Sequence, residues 1–323
     1  MKKLLNQLIN SCYHILMLMV FFYILSRLMA AIFPSTQPLH FWAEAKAQKI
    51  STLKKIAEQR ELVIGYREAS IPFSYLDEHQ KPIGYSIEIC QKVARAIQTK
   101  LGLDDLNIIL QPISSSNRFS FLREGAIDLE CGSTVNTQDR QKQVSFSVSI
   151  FQNRVRTLVW AHEKIRDLSD LSGKAIASLQ GTSFFRLLRE QQKIQGLELQ
   201  EIPAKDPDDA FGLLEKKFAS AVVLDEVLLS LLRSGASTPE RFVFLPEVLR
   251  IEPYALVMRK NDRDFKQLVD KILIDLMKSG EMEQIYQRWF NAAIPPKNQS
   301  LNLPISAELK SLFQQPNDLG IER

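Results

Sequence analysis

The sequence predicts an α/β protein built as two lobes, and three observations lead there. Strand-like and helix-like segments alternate in two successive sets along the 323 residues. Each set is long enough to close a core of its own. Polar residues gather just after the apolar strands, where open α/β sheets hold ligands. With 45% hydrophobic and 24% charged residues, the composition excludes disordered and fibrous classes.

The first set opens with an amphipathic segment, Ser51 to Gln59, and a buried-strand signal, Glu61 to Tyr66. Ser86 is expected to cap a helix whose apolar face is Ile87, Cys90, Val93, Ala94 and Ile97. Asn107 to Ile113 reads as the next strand, Asn117 to Glu124 as a helix stopped by Gly125, and Ala126 to Cys131 as a third strand. Such alternation predicts a parallel sheet. A second set begins near Leu158. It holds a strand at Gly173 to Ser178, a helix opened by Gly181-Thr-Ser183 and running through Arg189, and a strand at Ala219 to Leu224 that Asp225 terminates. After Tyr254 to Met258 the chain reads as one long helical stretch, Asp264 to Phe290, and a proline-bearing tail from Ile294.

Three of the four net positive charges lie in the first 47 residues, where Lys2, Lys3, Arg27 and Lys46 oppose Glu44. The remainder is nearly neutral, which argues against a nucleic-acid surface. Cys12, Cys90 and Cys131 form no Cys-x-x-Cys pair, and His14, His40, His79 and His162 are scattered, so no metal site is expected. The N-terminus has the form of an export signal: two lysines, the apolar run Ile15 to Leu25, and Ala45-Lys-Ala47 as a cleavage region. An uncleaved membrane anchor is the alternative, because the apolar run ends far ahead of Ala47 and Leu28 to Phe33 extend it.

Arg67 and Arg118 each follow an apolar strand, Ser115 stands beside Arg118, and Arg140 sits at a loop or helix start. A guanidinium is a rigid fork of donors that matches a carboxylate, so converging arginines indicate an anion with more than one carboxylate. Ser133 ends the third strand, and Thr182 with Ser183 opens a helix whose free amides suit an anion. Asp225 is either an ordinary helix cap or the partner of an ammonium group. Gly-x-Ser-x-Gly, phosphate-loop and His-Glu-x-x-His signatures are all missing, so no catalytic residue and no cofactor is expected.

Four pieces carry a family resemblance from Leu53 to Asp318: Gly65-Tyr-Arg-Glu-Ala-Ser-Ile-Pro-Phe-Ser-Tyr75, Ile113-Ser-Ser-Ser-Asn-Arg118, Asp128-Leu-Glu-Cys-Gly-Ser-Thr134 with Arg140-Gln-Lys142, and Ile294-Pro-Pro-Lys-Asn298. The chain resembles the periplasmic substrate-binding proteins of polar amino-acid ABC transporters (solute-binding protein family 3), in the glutamate/aspartate-binding branch. The resemblance implies a type II periplasmic-binding-protein-like fold with a hinge of two crossing strands. Residues 1–47 would be the leader, 48–157 and 254–323 the first lobe with its tail, and 158–253 the second. The implied ligand is glutamate or aspartate, the implied partner is the transporter's membrane permease, and the chain is expected to act as a monomer in the periplasm. Arg140, with Ser183 and amides near Ser133 and Val135, would hold the α-carboxylate. Asp225 would take the ammonium, and Arg67, Ser115 and Arg118 the distal carboxylate. Two departures stand out: Val135 replaces a hydroxyl residue of the branch, and Pro207 replaces a histidine. A membrane-anchored sensor and a dehydratase-like enzyme are the other readings, the latter needing Glu68 or Glu130 as acid or base.

Overall fold

Apolar strand runs and capped helices form nearly where the pattern puts them. A computed structural model describes Met17, residues 51–179 and residues 184–322. Apart from Met17 the leader lies outside the described residues, as do Thr182 and Ser183. Met1–Ile50 is one unit and Ser51–Arg323 another, and the second is described below.

In that unit α1 (Thr52–Gln59) leads into β1 (Glu61–Tyr66). A small antiparallel sheet follows, made of β2 (Ala69–Ser70), β3 (Ser74–Leu76) and β4 (Pro82–Ile83). Next come α2 (Tyr85–Lys100), β5 (Asn107–Pro112), α3 (Arg118–Glu124), β6 (Leu129–Glu130), α4 (Gln138–Gln141) and β7 (Val144–Phe146). The main sheet has the order β5-β1-β6-β13-β7, where β13 is Val257–Arg259. β1 runs parallel to β5 and β6, whereas β13 runs antiparallel to β6 and β7. The sheet is therefore mixed rather than purely parallel, because its last strand returns from the far end of the chain.

A second sheet, ordered β10-β9-β11-β8-β12, contains β8 (Phe151–Trp160), β9 (Ala175–Leu179), β10 (Gln200–Ala204), β11 (Ala221–Asp225) and β12 (Phe242–Tyr254). Its helices are α5 (Phe184–Gln195), α6 (Pro207–Glu215) and α7 (Glu226–Gly235). Here too the alternation hid two antiparallel pairings, of β8 with β11 and with β12. β8 and β12 pair from Phe151 opposite Tyr254 to Trp160 opposite Phe242. At one end Phe151 and Tyr254 join the first core with Phe73, Tyr85 and Phe290; from Val155 onward β8 belongs to the second. These two strands connect two separate cores.

Three local readings are corrected. Ser86 does not cap α2: Gly84 occupies that position, and the Ser86 hydroxyl donates to the Gly132 carbonyl at 2.7 Å. The apolar face read for the helix is buried, Ile87 through Ile97, at roughly 1.5–3 kcal/mol per large side chain. The long helical stretch is two helices, α8 (Arg263–Lys278) and α9 (Glu281–Phe290), because Gly280 adopts φ 79°, a left-handed conformation that ends the first helix. The third strand is only Leu129–Glu130. A last helix, α10 (Ala307–Gln314), packs on the first core through Leu309, Leu312 and Phe313. Cys90 and Cys131, 41 residues apart, are joined as a disulfide that ties α2 to the turn after β6.

Candidate functional site

The turns after β1, β5 and β6 converge, because parallel neighbours deliver their carboxyl ends to one edge of a sheet. Arg67 follows β1. Its backbone N–H donates to Ser74 Oγ and its Nη1 to Ser115 Oγ, both at 2.8 Å. Arg118 opens α3 after a serine-rich turn in which the Ser114 N–H donates to Asn117 Oδ1 at 2.7 Å. It is buried, and its Nη1 donates to Thr134 Oγ1. Arg140 lies in α4, where the Thr137 hydroxyl accepts its N–H at 3.2 Å. Its Nη1 donates to the Val135 carbonyl at 2.8 Å. The guanidinium carbons of Arg118 and Arg140 lie 5.1 and 5.9 Å from the centre of one ring, Phe119, which serves both as a platform.

Glu130 ends β6 and is fully buried. Burial pushes its carboxyl up, against the opposing pull of Arg118, the Thr134 hydroxyl, Arg67 and Arg140. All three site arginines act on it. Gly132 permits this packing, since a Cβ there would come within 2.5 Å of Glu130 Oε1 and 3.1 Å of Arg67 Cγ. Ser133 shares a hydrogen bond of 2.7 Å with Ser70. Val135 is half-buried, bridges Tyr254 through the backbone and packs against the first core.

The second sheet contributes Asp225, the last residue of β11, opposite Val155 of β8. Asn153 Nδ2 donates to its Oδ1. Burial and the neighbouring Glu252 carboxylate raise its pKa to about 7, with the Asn153 amide opposing. Tyr254 links the two walls. Its phenol is pushed up by burial, then by Asp225 and Glu252, while Arg140 pulls it down. Acid and arginine thus act on one ring.

Seven of the nine site residues read from the sequence are described, and they fall into two groups. Arg67, Ser115, Arg118, Ser133, Val135 and Arg140 share the first sheet's edge; Asp225 ends β11 of the second and acts on Tyr254. Sequence reasoning missed Phe119, Thr134, Asn153 and Tyr254, and it considered Glu130 only as a catalytic acid or base. The available signal was an acid inside the apolar stretch Leu129–Cys131 beside a glycine. Pro207 is the first residue of α6 behind the Asp206 cap, and with Ile71, Phe211, Ile294 and Pro295 it lines an apolar cavity of about 560 Å³.

The model of the family described as bacterial extracellular solute-binding proteins, family 3, matches residues 62–292. The chain belongs to that family. A glutamate/aspartate import solute-binding protein of Salmonella typhimurium is 41% identical over 84% of this chain and 90% of its own length. An L-glutamate/L-aspartate-binding protein of Pseudomonas aeruginosa is 40% identical with the same coverage. Among solved structures, an ancestral cationic amino-acid solute-binding protein is similar with TM-score 0.60 and 23% identity, over 74% of this chain and 99% of its own. A histidine-bound substrate-binding protein of an ABC uptake transporter from Streptococcus pneumoniae is similar with TM-score 0.57 and 20% identity, over 76% and 98%. These two likenesses establish the two-lobed type II fold of this solute-binding protein. Its close relatives are named as binding proteins, not enzymes. Among the described residues no helix is long and apolar enough to cross a membrane, and no group of three or more His, Cys, Asp or Glu is placed to hold a metal ion.

Proposed function

We propose that this solute-binding protein captures glutamate or aspartate outside the cytoplasmic membrane and hands it to the permease of an ABC transporter. The observation that carries the reading is the set of three arginines around buried Glu130, with Asp225 at the end of β11 and Arg140 acting on the same ring, Tyr254. Three guanidinium groups converge there while burial works against ionisation of both nearby acids, Glu130 and Asp225, so the site favours an anion with more than one carboxylate. The names of the relatives at 40–41% identity support the same ligand class.

In this reading Arg140, Thr182, Ser183 and the amides near Ser133 and Val135 hold the α-carboxylate. Asp225 takes the ammonium, and Arg67, Ser115 and Arg118 the distal carboxylate. The lobes are residues 48–157 with 254–323, and 158–253; they close about β8 and β12, and the chain acts as a monomer. Residues 1–47 direct export to the periplasm, and N-terminal sequencing of the exported protein tells whether they are removed or remain as an anchor.

Glutamate or aspartate is expected to raise the melting temperature of the exported protein, since a ligand bound only by the folded state stabilises it by mass action. A shift caused by a basic or apolar amino acid, with none from either acid, overturns the reading. Arg140→Ala is expected to abolish binding of every amino acid, whereas Arg118→Ala removes the preference for glutamate over glutamine. Each loses one partner of a desolvated charge pair, a cost on the order of 2–5 kcal/mol. Calorimetry with both ligands checks this, and equal residual affinities of the two variants for the two ligands contradict the separate roles.

A further inference from the structure

The family match ends at residue 292, but the last described residues of the chain return to the segment that carries Arg140. After α10 the backbone runs from Asn317 to Glu322 alongside residues 136–141. The Ser149 N–H donates to the Asn317 carbonyl at 2.8 Å. The side-chain amides of Asn136 and Gln141 both donate to the Asp318 carbonyl at 2.9 Å. The Ile321 N–H donates to the Asn136 carbonyl and the Gln138 N–H to the Ile321 carbonyl, each at 3.1 Å, so Thr137 and Ile321 form a short parallel bridge. The Asp318 carboxylate meets Lys266 Nζ at 2.9 Å. Gly320 lies flat against this segment: a Cβ would come within 3.0 Å of Asn136 Oδ1, the Gln138 nitrogen and Gln141 Nε2.

α4 has four residues, too few to hold a helical turn by its own hydrogen bonds. The direction of Arg140 is therefore imposed from outside the helix. On one side Thr137 caps the turn and Arg140 reaches back to the Val135 carbonyl. On the other side the support comes from the strap, whose four hydrogen bonds to residues 136–141 involve both the backbone and the buried Asn136 side chain.

We propose that the C-terminal strap, Asn317–Glu322, is the positioning element for Arg140, an inference that rests on Arg140 binding the ligand's α-carboxylate. Losing the strap leaves the arginine present but misdirected, so ligand affinity falls in a way that depends on Arg140 and not on the arginines of the other turns.

The test measures glutamate affinity by calorimetry on the full chain, on a chain ending at Pro316, and on the single variants Gly320→Val and Ile321→Pro, of which the second removes the N–H given to Asn136. Each is made also with Arg140→Lys and with Arg118→Lys. All three strap changes are expected to weaken binding by about tenfold or more, the effect of a few lost hydrogen bonds. The loss should largely vanish on the Arg140→Lys background and persist on Arg118→Lys, since only coupled sites depart from additivity. Should the shortened chain lack a cooperative melting transition, the two single variants decide. Unchanged affinity in folded strap variants, or an equal loss on both backgrounds, overturns the proposal. Arg140→Lys binding glutamate as tightly as the intact chain removes the carboxylate role of Arg140 and the strap proposal together; a large loss for Arg140→Lys with an additive strap effect removes the strap proposal alone.

Discussion

Asp225 and Glu226 are consecutive acids where β11 gives way to α7, and they meet opposite surroundings. Glu226 is clasped by the crossing strand β8: Arg154 donates through Nε and Nη2 at 2.7 and 2.8 Å, and Arg156 through Nη1 at 2.7 Å. Arg154 also lies 3.8 Å from Glu308 at the start of α10. Asp225 has the Asn153 amide and the repelling Glu252 for company, and among the described residues no lysine or arginine bonds it. One carboxylate is neutralised by the fold itself. The other keeps a cost of ionisation, which the proposed ammonium group would relieve. A strand-to-helix junction thus gives two chemically similar residues opposite surroundings, one a structural anchor and the other the proposed acceptor of an ammonium group.

Breaking the anchor is expected to have the largest effect on the ligand-free protein. Glu226→Gln removes the buried carboxylate that two part-buried arginines share, at a cost on the order of 3–5 kcal/mol for a broken buried pair. Urea denaturation without ligand measures it, and a loss below about 1 kcal/mol, as for a solvated pair, removes the contrast with Asp225.

Asp225→Asn is expected to do the reverse: to weaken amino-acid binding by about 2–5 kcal/mol without destabilising the ligand-free protein. The pH dependence sharpens this. The folded-state pKa of about 7 lies above the ordinary carboxylate value of 3.8. The native state therefore keeps a proton that the unfolded chain has released. The Asp225 contribution to stability declines as pH rises from about 4 to about 7 and is level above that. Ligand affinity runs the other way, rising toward pH 7 and then flattening, with proton release on binding below that pH. Calorimetry in buffers of different ionisation enthalpy detects the proton, and Asp225→Asn should abolish both trends. A flat affinity profile in the parent protein contradicts the role of Asp225 as ammonium acceptor.

The smallest expected effect is at Val135. If its side chain stands beside the bound ammonium, Val135→Thr supplies an acceptor, and a hydrogen bond to a charged group contributes roughly 1.5–3 kcal/mol. Glutamate affinity should then rise about tenfold or more. Weaker or unchanged binding with a lower ligand-free melting temperature would show that its packing against the first core is the whole role of Val135.

Much of this site was legible because it is assembled from strand ends, and strand ends are local features. Arg67, Arg118 and Asp225 each follow an apolar run that had to be buried, so their placement at a sheet edge needed only the strand and the alternation after it. Arg140 was legible as a cation at a helix start, but the bonds that Asp318 and Ile321 make to the segment around it were not. Ser86 was misread because a serine ahead of an apolar face is an ordinary cap signal; the nearby Gly132 carbonyl, 46 residues away, won its hydroxyl. The single helix expected from Asp264 to Phe290 failed at Gly280, where one left-handed residue outweighed a continuous apolar stripe.

By itself the sequence determined which apolar runs are buried, where strands and helices alternate, and that arginines and one aspartate stand at strand ends. These follow from periodicity and turn chemistry, which act over a few residues. Only the tertiary structure decided the antiparallel return of β13, the joining of Cys90 to Cys131, the placing of Glu130 among three arginines and the opposite surroundings of Asp225 and Glu226. Each depends on partners tens to more than a hundred residues apart, and a buried charge takes its meaning from whatever group the fold brings opposite it.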